Sequence, residues 1–106
     1  MKVLITDNAY NDINEFVKIS KSSERNLNSY INSLLNYSLT LANFPEMGKH
    51  DFYIQTKLQK YSVRKLVYKQ HKILYYVDTD VHIIGILHTK INTNEYVKRL
   101  KRFIEF

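Results

Sequence analysis

Residues 61–90 read YSVRKLVYKQHKILYYVDTDVHIIGILHTK, three runs rich in Val, Ile and Tyr with two short polar breaks between them. These residue types are enriched in β-strands because their side chains pack well on a pleated surface. The breaks at 69–71 and 78–80 are each short enough for a hairpin turn. This stretch therefore predicts strands at 61–68, 73–77 and 81–87 that run as an antiparallel meander. A shorter run of the same kind at 52–54 predicts one more strand before them.

The residues before this region have a different period. Val3-Leu4-Ile5 predicts a first strand, and the following Thr6-Asp7-Asn8 contains residue types that cap helix N-termini. Apolar side chains then recur at the spacing of an amphipathic helix in two segments, and the second segment begins at Ser22 or Ser23. The apolar positions are Tyr10, Ile13, Phe16 and Val17 in the first helix, and Leu27, Tyr30, Ile31, Leu34, Leu35, Leu41 and Ala42 in the second. Pro45 and Gly48 end the second helix, so the two helices form a hairpin.

A short helix is predicted at the end of the chain, opened by Thr93-Asn94-Glu95. Asn92 and Glu95 have the spacing of a capping box. The inward positions of this helix are Tyr96, Leu100, Phe103 and Ile104. Helices followed by strands indicate the α+β class, with the helical hairpin packed on one face of a small, mainly antiparallel sheet. At 106 residues the chain is expected to form one domain, residues 1–106.

Composition narrows the possible functions. The chain has no cysteine, which excludes disulfide frameworks, thiolate zinc sites and cysteine nucleophiles. Residues 57–106 carry eleven Lys/Arg and four Asp/Glu, hence a net charge of 11 − 4 = +7, whereas residues 1–56 carry five and six, hence −1. A concentrated positive field favours a polyanion or an acidic partner, although a basic surface can also serve solubility alone. The apolar N-terminal stretch is too short for a signal peptide or a membrane span, so we expect a cytoplasmic protein.

Four segments occur in the order and spacing of a known superfamily. They are 43–48 (NFPEMG), 63–66 (VRKL), 71–78 (HKILYYVD) and 84–90 (IGILHTK). Together with the order strand, two helices and meander, they make nearly the whole chain resemble the RelE/ParE toxins of type II toxin-antitoxin systems. The resemblance implies a growth-arresting toxin that a cognate antitoxin neutralises by wrapping its surface, in a possible toxin-antitoxin hetero-oligomer. It implies either ribosome-dependent mRNA cleavage, as in RelE-like members, or inhibition of DNA gyrase, as in ParE-like members.

The resemblance also implies catalytic positions for the mRNA-cleaving alternative. Arg64 falls on the arginine strand, Lys72 stands where RelE-like toxins have a catalytic arginine, and His88 falls near a catalytic histidine of some relatives. Lys90 and Tyr96 match a basic residue and a tyrosine with the same six-residue spacing. If the protein is a nuclease, we expect the side chains of Arg64, Lys72 and Lys90 to project onto one concave face, opposite the helical hairpin.

Cleavage of RNA by its own 2′-hydroxyl needs a base, an acid and cations on the phosphate, and this set contains such groups. Two features depart from the nuclease pattern. Lysine replaces the bidentate arginine at 72 and at 90. Some nuclease members also use a carboxylate base before the second strand, where only Asp51 is available. The His88-x-Lys90 strand end is more ParE-like.

Each of these positions also has a structural explanation. Arg64 and Lys72 suit a solvated strand face or surface ion pairs with Asp78 or Asp80. Tyr96 suits a core position, and His88 suits a structural histidine.

Lysines interleaved with tyrosines predict a nucleic-acid contact, with charge for phosphates and rings for bases, and the lysines concerned are Lys57, Lys60, Lys65 and Lys69. The same pattern is also typical of any half-exposed strand. The basic tail with Lys98, Arg99, Lys101 and Arg102 fits nucleic acid, an acidic antitoxin or solubility. His50, His71 and His82 show no metal-ligand spacing, and no metal or cofactor is expected.

Three functional hypotheses remain from the sequence. The first is a ribosome-dependent endoribonuclease, the second is a non-catalytic inhibitor of gyrase, and the third, outside the family, is a non-toxic basic nucleic-acid-binding module.

Overall fold

The computed structural model describes residues 1–20, 24–50, 62–92 and 95–96. The secondary-structure elements, in chain order, are β1 (Val3–Ile5), α1 (Asp7–Ile19), α2 (Glu24–Leu39), a 3-10 helix (Thr40–Ala42), β2 (Lys49–His50), β3 (Val63–Tyr68), β4 (His71–Val77) and β5 (Val81–His88). This order confirms the predicted α+β class, with its N-terminal strand, helical hairpin and meander. The strand predicted at 52–54 and the proposed helix starts at Ser22 or Ser23 lie outside the described residues.

The five strands form one mixed sheet in the order β1-β5-β4-β3-β2. β3, β4 and β5 pair antiparallel, as predicted, and β1 joins the edge of β5 in parallel, with Val3 opposite Val81. β2 pairs antiparallel with β3. It has only two residues, too few to show a period in the sequence, and it was not predicted.

The first helix begins where the capping residues predicted. The Thr6 hydroxyl accepts a hydrogen bond from the Ala9 N–H at 3.3 Å and donates one to the Ile83 carbonyl at 2.8 Å. One threonine therefore starts α1 and ties it to β5. Of the apolar side chains on this helix, Ile13 packs against the core, whereas Tyr10 and Val17 are 50% and 43% exposed.

The second helix has the predicted buried side and exposed side. Leu27 and Leu34 are buried, and the exposed side carries Asn28, Asn32 and Asn36. The α-helix ends at Leu39, before the predicted stripe does. The last two predicted positions, Leu41 and Ala42, lie in the 3-10 helix, which continues the chain into the turn before β2.

The predicted C-terminal helix begins at the expected place. The Asn92 side chain accepts a hydrogen bond from the Glu95 N–H at 3.3 Å, and the Tyr96 N–H donates to the Asn92 carbonyl at 3.1 Å. This is the Asn92 half of the predicted capping box. The other predicted inward positions, Leu100, Phe103 and Ile104, and the basic tail lie outside the described residues.

The sheet has a buried cluster on each face. The cluster on the helix side contains Ala9, Leu34, Leu41, Leu66, Ile73, Tyr75, Val81, Ile83 and Ile86. The cluster on the opposite side contains Val63, Leu74, Ile84, Leu87 and Tyr96. The face away from the hairpin is therefore partly covered, and Tyr96 is one of the residues that cover it.

A β-bulge lies in the middle of β5. Leu74 pairs with Gly85 while the next residue of β4, Tyr75, pairs with Ile83, so Ile84 is the extra residue. The bulge lets Ile83 and Ile86, three positions apart, pack on the same helix-facing side. The pairing of β5 with β1 ends at Ile83, so the backbone groups of β5 beyond this point need partners of their own.

Among the described residues, we find no helix both long and apolar enough to cross a membrane.

Candidate functional site

Beyond its pairing with β1, the edge of β5 forms hydrogen bonds with polar side chains of α1. Asn8 donates its side-chain N–H to the Ile84 carbonyl at 2.7 Å, and the Asp12 carboxylate accepts from the Ile86 N–H at 2.9 Å. Both backbone groups belong to the part of β5 that follows its pairing with β1. These side chains therefore take the place of a neighbouring strand.

Tyr96 belongs to the same network. Its side chain is only 2% exposed, its hydroxyl donates to the Asp12 carboxylate, and the Asn8 side chain donates to it at 3.3 Å. A Cβ on Gly85 would lie 1.9 Å from the Tyr96 hydroxyl oxygen, so only glycine lets the ring pass the bulge. These contacts favour the core interpretation of Tyr96 over a role as a proton donor to a bound substrate.

Arg64 holds the turn that precedes β2. Its Nη1 donates to the carbonyls of Glu46 at 3.2 Å and Gly48 at 2.7 Å. The Tyr75 hydroxyl bridges the same turn, accepting from the Gly48 N–H at 2.8 Å and donating to the Pro45 carbonyl at 2.9 Å. Arg64 therefore makes a structural contact that the sequence analysis did not consider, since its suggested partners were phosphate, Asp78 and Asp80.

The turn between β4 and β5, which contains Asp78 and Asp80, does not contact Arg64 through any described ion pair. Asp78 accepts from His82 at 2.9 Å and from the backbone N–H of Asp80 at 2.9 Å, and both contacts hold the pKa of Asp78 below its usual value, with the backbone N–H acting most strongly. The His82 ring in turn stacks on Tyr76 with the centroids 4.6 Å apart.

The structure separates two of the predicted catalytic residues. Arg64 lies directly opposite Tyr75 in the sheet, and Tyr75 belongs to the cluster on the helix side. Lys72 precedes Ile73 of that same cluster, so the alternation of a strand sends Lys72 to the other face. Arg64 and Lys72 therefore do not converge on one surface, contrary to the expectation that both face away from the hairpin. Lys65, which pairs with Leu74, shares the face of Lys72.

A cleft of about 550 Å³ lies between the helices and the end of the sheet where β4 begins and β5 ends. Its apolar lining includes Phe16, Ile19, Ile31, Leu34, Ile86 and Ile91, and its polar lining includes Tyr30, Gln70, His71, His88 and Lys90. Two predicted site residues, His88 and Lys90, thus meet here. The cleft has the size and the mixed lining of a ligand-binding site.

His71 and Tyr30 are the members of this cleft that the sequence analysis missed. His71 is 4% exposed, and its Nδ1 lies 2.6 Å from the Tyr30 hydroxyl. The His88 ring meets the His71 ring edge-on with the centroids 5.4 Å apart. A signal did exist, because the first residue of β4 and the last residue of β5 face each other across a two-strand hairpin, which places His71 opposite His88.

Burial shapes the acid–base properties of the cleft. Burial lowers the pKa of His71 below its usual value, and the neighbouring His88 lowers it further. Burial also raises the pKa of Tyr30, against the opposing effect of a hydrogen bond from the Gln70 backbone. Both groups are therefore held in their neutral forms at neutral pH. His88 accepts a hydrogen bond at Nδ1 from the Lys90 N–H at 3.1 Å.

Two of the four predicted nucleic-acid-binding lysines, Lys65 and Lys69, lie in the described residues, and they occupy different parts of the fold. Lys69 lies in the turn between β3 and β4 with a φ of 50°, and its ammonium is 5.5 Å from the ring centroid of Tyr68 and 5.9 Å from that of Tyr30. Lys65 lies on the face of Lys72, away from this turn. Lys57 and Lys60, like Asp51, lie outside the described residues.

Within residues 1–20, 24–50, 62–92 and 95–96, no group of three or more His, Cys, Asp or Glu side chains could hold a metal ion.

Comparison with known proteins identifies a family. A family model described as the ParE toxin of the type II toxin-antitoxin system parDE matches residues 3–93. No curated protein matches the sequence.

Proposed function

Since the chain belongs to the ParE toxin family of type II toxin-antitoxin systems, we propose that it arrests growth by binding and inhibiting DNA gyrase, without cutting RNA. A toxin of this class has a cognate antitoxin as its partner. The proposal requires action in the cytoplasm, where gyrase meets the chromosome. The net charge of +7 in residues 57–106 suits a target engaged with DNA, and equally an acidic antitoxin.

The separation of Arg64 from Lys72 is the observation that carries this proposal. Cleavage through the 2′-hydroxyl needs its base, acid and cations around one phosphate. Arg64 and Lys72 point to opposite faces of the sheet, and the Tyr96 hydroxyl is bonded to Asp12 within the protein. An inhibitor that works by binding needs no such convergence.

Ribosome-dependent mRNA cleavage is the second candidate, and the cleft gives a specific reason to keep it. His88, Lys90, His71 and Tyr30 line one side of the cleft, which provides two imidazoles and a cation in one place. Imidazoles near neutral pH can exchange protons with a substrate. In this alternative the cleft, not the strand face with Lys72, would receive the RNA.

The decisive experiment measures both activities on one preparation of the purified chain. We expect it to inhibit supercoiling by gyrase and to leave mRNA intact in a reconstituted translation reaction. Lys72→Ala should inhibit supercoiling as the wild type does, because Lys72 belongs to no assembled site in the described residues. His88→Asn tests the alternative, because it removes an imidazole from the cleft.

Cleaved mRNA in the wild-type reaction, lost in His88→Asn, together with normal supercoiling would replace the gyrase proposal with the nuclease. Harmless expression of folded protein, with salt-dependent binding to arbitrary nucleic acid, would instead favour the non-toxic binding module.

A further inference from the structure

Three rings meet at the end of the cleft where β4 begins and β5 ends. The His71 ring lies edge-on to both Phe16 and His88, with centroid distances of 4.8 and 5.4 Å. Tyr30 reaches His71 from α2 with its hydroxyl 2.6 Å from Nδ1. A single buried imidazole therefore contacts α1, α2 and β5 at once.

The hydrogen bonds at both histidines suit neutral rings that accept at Nδ1. The Gln70 backbone N–H donates to the Tyr30 oxygen, and Tyr30 can then donate its own proton to Nδ1 of a neutral His71. The remaining proton of neutral His71 is assigned to Nε2 on this ground.

His88 Nδ1 likewise accepts from the Lys90 N–H at 3.1 Å. On each ring, an added proton would go to the nitrogen that now accepts a hydrogen bond. At His88 that proton would face the amide hydrogen of Lys90. At His71 the Tyr30 hydroxyl would have to turn away and accept a second donor.

Two ammonium groups near this end would oppose an added positive charge. They belong to Lys69, which lies 5.9 Å from the Tyr30 ring centroid, and to Lys90, which lines the cleft, and β3 contributes the phenol of Tyr68. From α1 come two carboxylates that have other partners: Asp12 binds the Ile86 N–H and Tyr96, and Glu15 lies 3.7 Å from Lys18.

We propose that His71, His88 and Tyr30 form a proton-sensitive latch, which holds α2 against the start of β4 when the imidazoles are neutral and releases this end of the cleft when they are protonated. The latch concerns the folded chain itself and does not depend on which target the toxin inhibits. Release would widen the space between the hairpin and the sheet, because Tyr30 is the α2 side chain bonded to His71.

The direction of the pH effect follows from burial. The pKa of His71 is lowered in the folded protein, so the unfolded chain takes up a proton first as the pH falls. The contribution of His71 to stability is therefore complete above the usual histidine value of 6.5, declines as the pH falls below it, and stops declining below the folded pKa.

The test is a pH titration of the full-length protein, with the imidazole nitrogens and the backbone amides followed by NMR and thermal melts recorded from about pH 8 to about pH 5. We expect His71 to titrate below the usual histidine value, the α2 amides near Tyr30 to shift with the same midpoint, and the melting temperature to fall over that range. His88→Asn is the informative variant. An Asn oxygen can accept from the N–H two residues later, as His88 Nδ1 now does from Lys90, but carries no charge. In this variant the His71 midpoint should rise and the loss of melting temperature should shrink.

His82→Asn is the matched control, since it makes the same substitution on the same strand but outside the cleft, and it should leave the His71 midpoint unchanged. An unchanged His71 midpoint in His88→Asn would overturn the proposal. So would His71 titrating at or above the usual value, or α2 amides that do not follow it. None of these outcomes depends on gyrase or ribosome assays, so failure of the latch and failure of the proposed function are distinguishable.

Discussion

Two tyrosine hydroxyls on the helix side of the sheet perform similar tasks with different partners. Tyr75 binds the turn before β2 through the Gly48 N–H and the Pro45 carbonyl, which do not titrate. Tyr30 binds α2 to the sheet through His71, which does. Burial raises the pKa of both phenols, so both remain protonated near neutral pH.

This difference shows that the partner of a tyrosine hydroxyl determines whether its hydrogen bond depends on pH. The groups bonded to the Tyr75 hydroxyl are backbone groups of the turn, which do not titrate, and the Arg64 guanidinium donates to the same turn. That region should keep its geometry across the pH range of a living cell. Around Tyr30 the equivalent contact depends on the charge of an imidazole.

The largest effect should come from Tyr75→Phe. It leaves the buried Gly48 N–H and the Pro45 carbonyl without their partner, which costs about 1–3 kcal/mol for an unsatisfied buried group. The cost should be the same at about pH 7.5 and about pH 5.5, since none of these groups titrates between them. Urea unfolding at both values measures it, with Tyr10→Phe on the exposed side of α1 as the control. A penalty that changes with pH would contradict the contrast between the two tyrosines.

Tyr30→Phe should have a smaller effect that does change with pH. The lost hydrogen bond to His71 is partly buried, so we expect a penalty of about 1 kcal/mol at neutral pH. Under acid conditions the penalty should decrease, because protonation of His71 has already weakened the contact. A double titration of wild type and variant in urea gives the comparison. A larger penalty in acid would mean that the charged imidazole donates to Tyr30 and strengthens the contact.

The smallest effect should come from Lys72→Ala, which belongs to neither cluster. Lys72 lies half-buried on the opposite face of the sheet, and substitutions of such surface residues usually change stability by less than about 0.5 kcal/mol. The change should also be the same at both pH values, since Lys72 contacts neither His71 nor Tyr30 in the described hydrogen bonds. Melting curves at both pH values test this. A large loss of stability would show that the face of Lys72 packs against another part of the chain.

The sequence predicted the elements that leave a readable pattern. The hairpin was confirmed because its apolar residues recur at helical spacing, and β1 and the three strands of the meander were confirmed because they are short runs of strand-forming residues bounded by polar segments. The two-residue strand β2 has no period. The bulge at Ile84 depends on tertiary packing, although an isolated Gly85 within a strand is a known signal for one.

The candidate site was harder to predict than the fold. Which face a side chain takes depends on strand register, and the sequence analysis placed Arg64 and Lys72 together without fixing that register. His71 was set aside for lack of metal-ligand spacing, but its importance comes from its cross-strand neighbour His88 and from burial beneath Tyr30. Pairing residues across the predicted turn would have brought the two histidines together.

The polar closure of β5 also bears on how other chains can associate with this sheet. An unpaired strand edge can pair with a strand of another chain, and such pairing is a common cause of aggregation. Along β5 the Ile84 carbonyl and the Ile86 N–H are already bonded to Asn8 and Asp12. These two groups are therefore not available to pair with a strand of another chain. Among the described strands, the remaining edges to which a partner could add a strand are the outer side of β1 at one end of the strand order, and β2 with the uncovered part of β3 at the other.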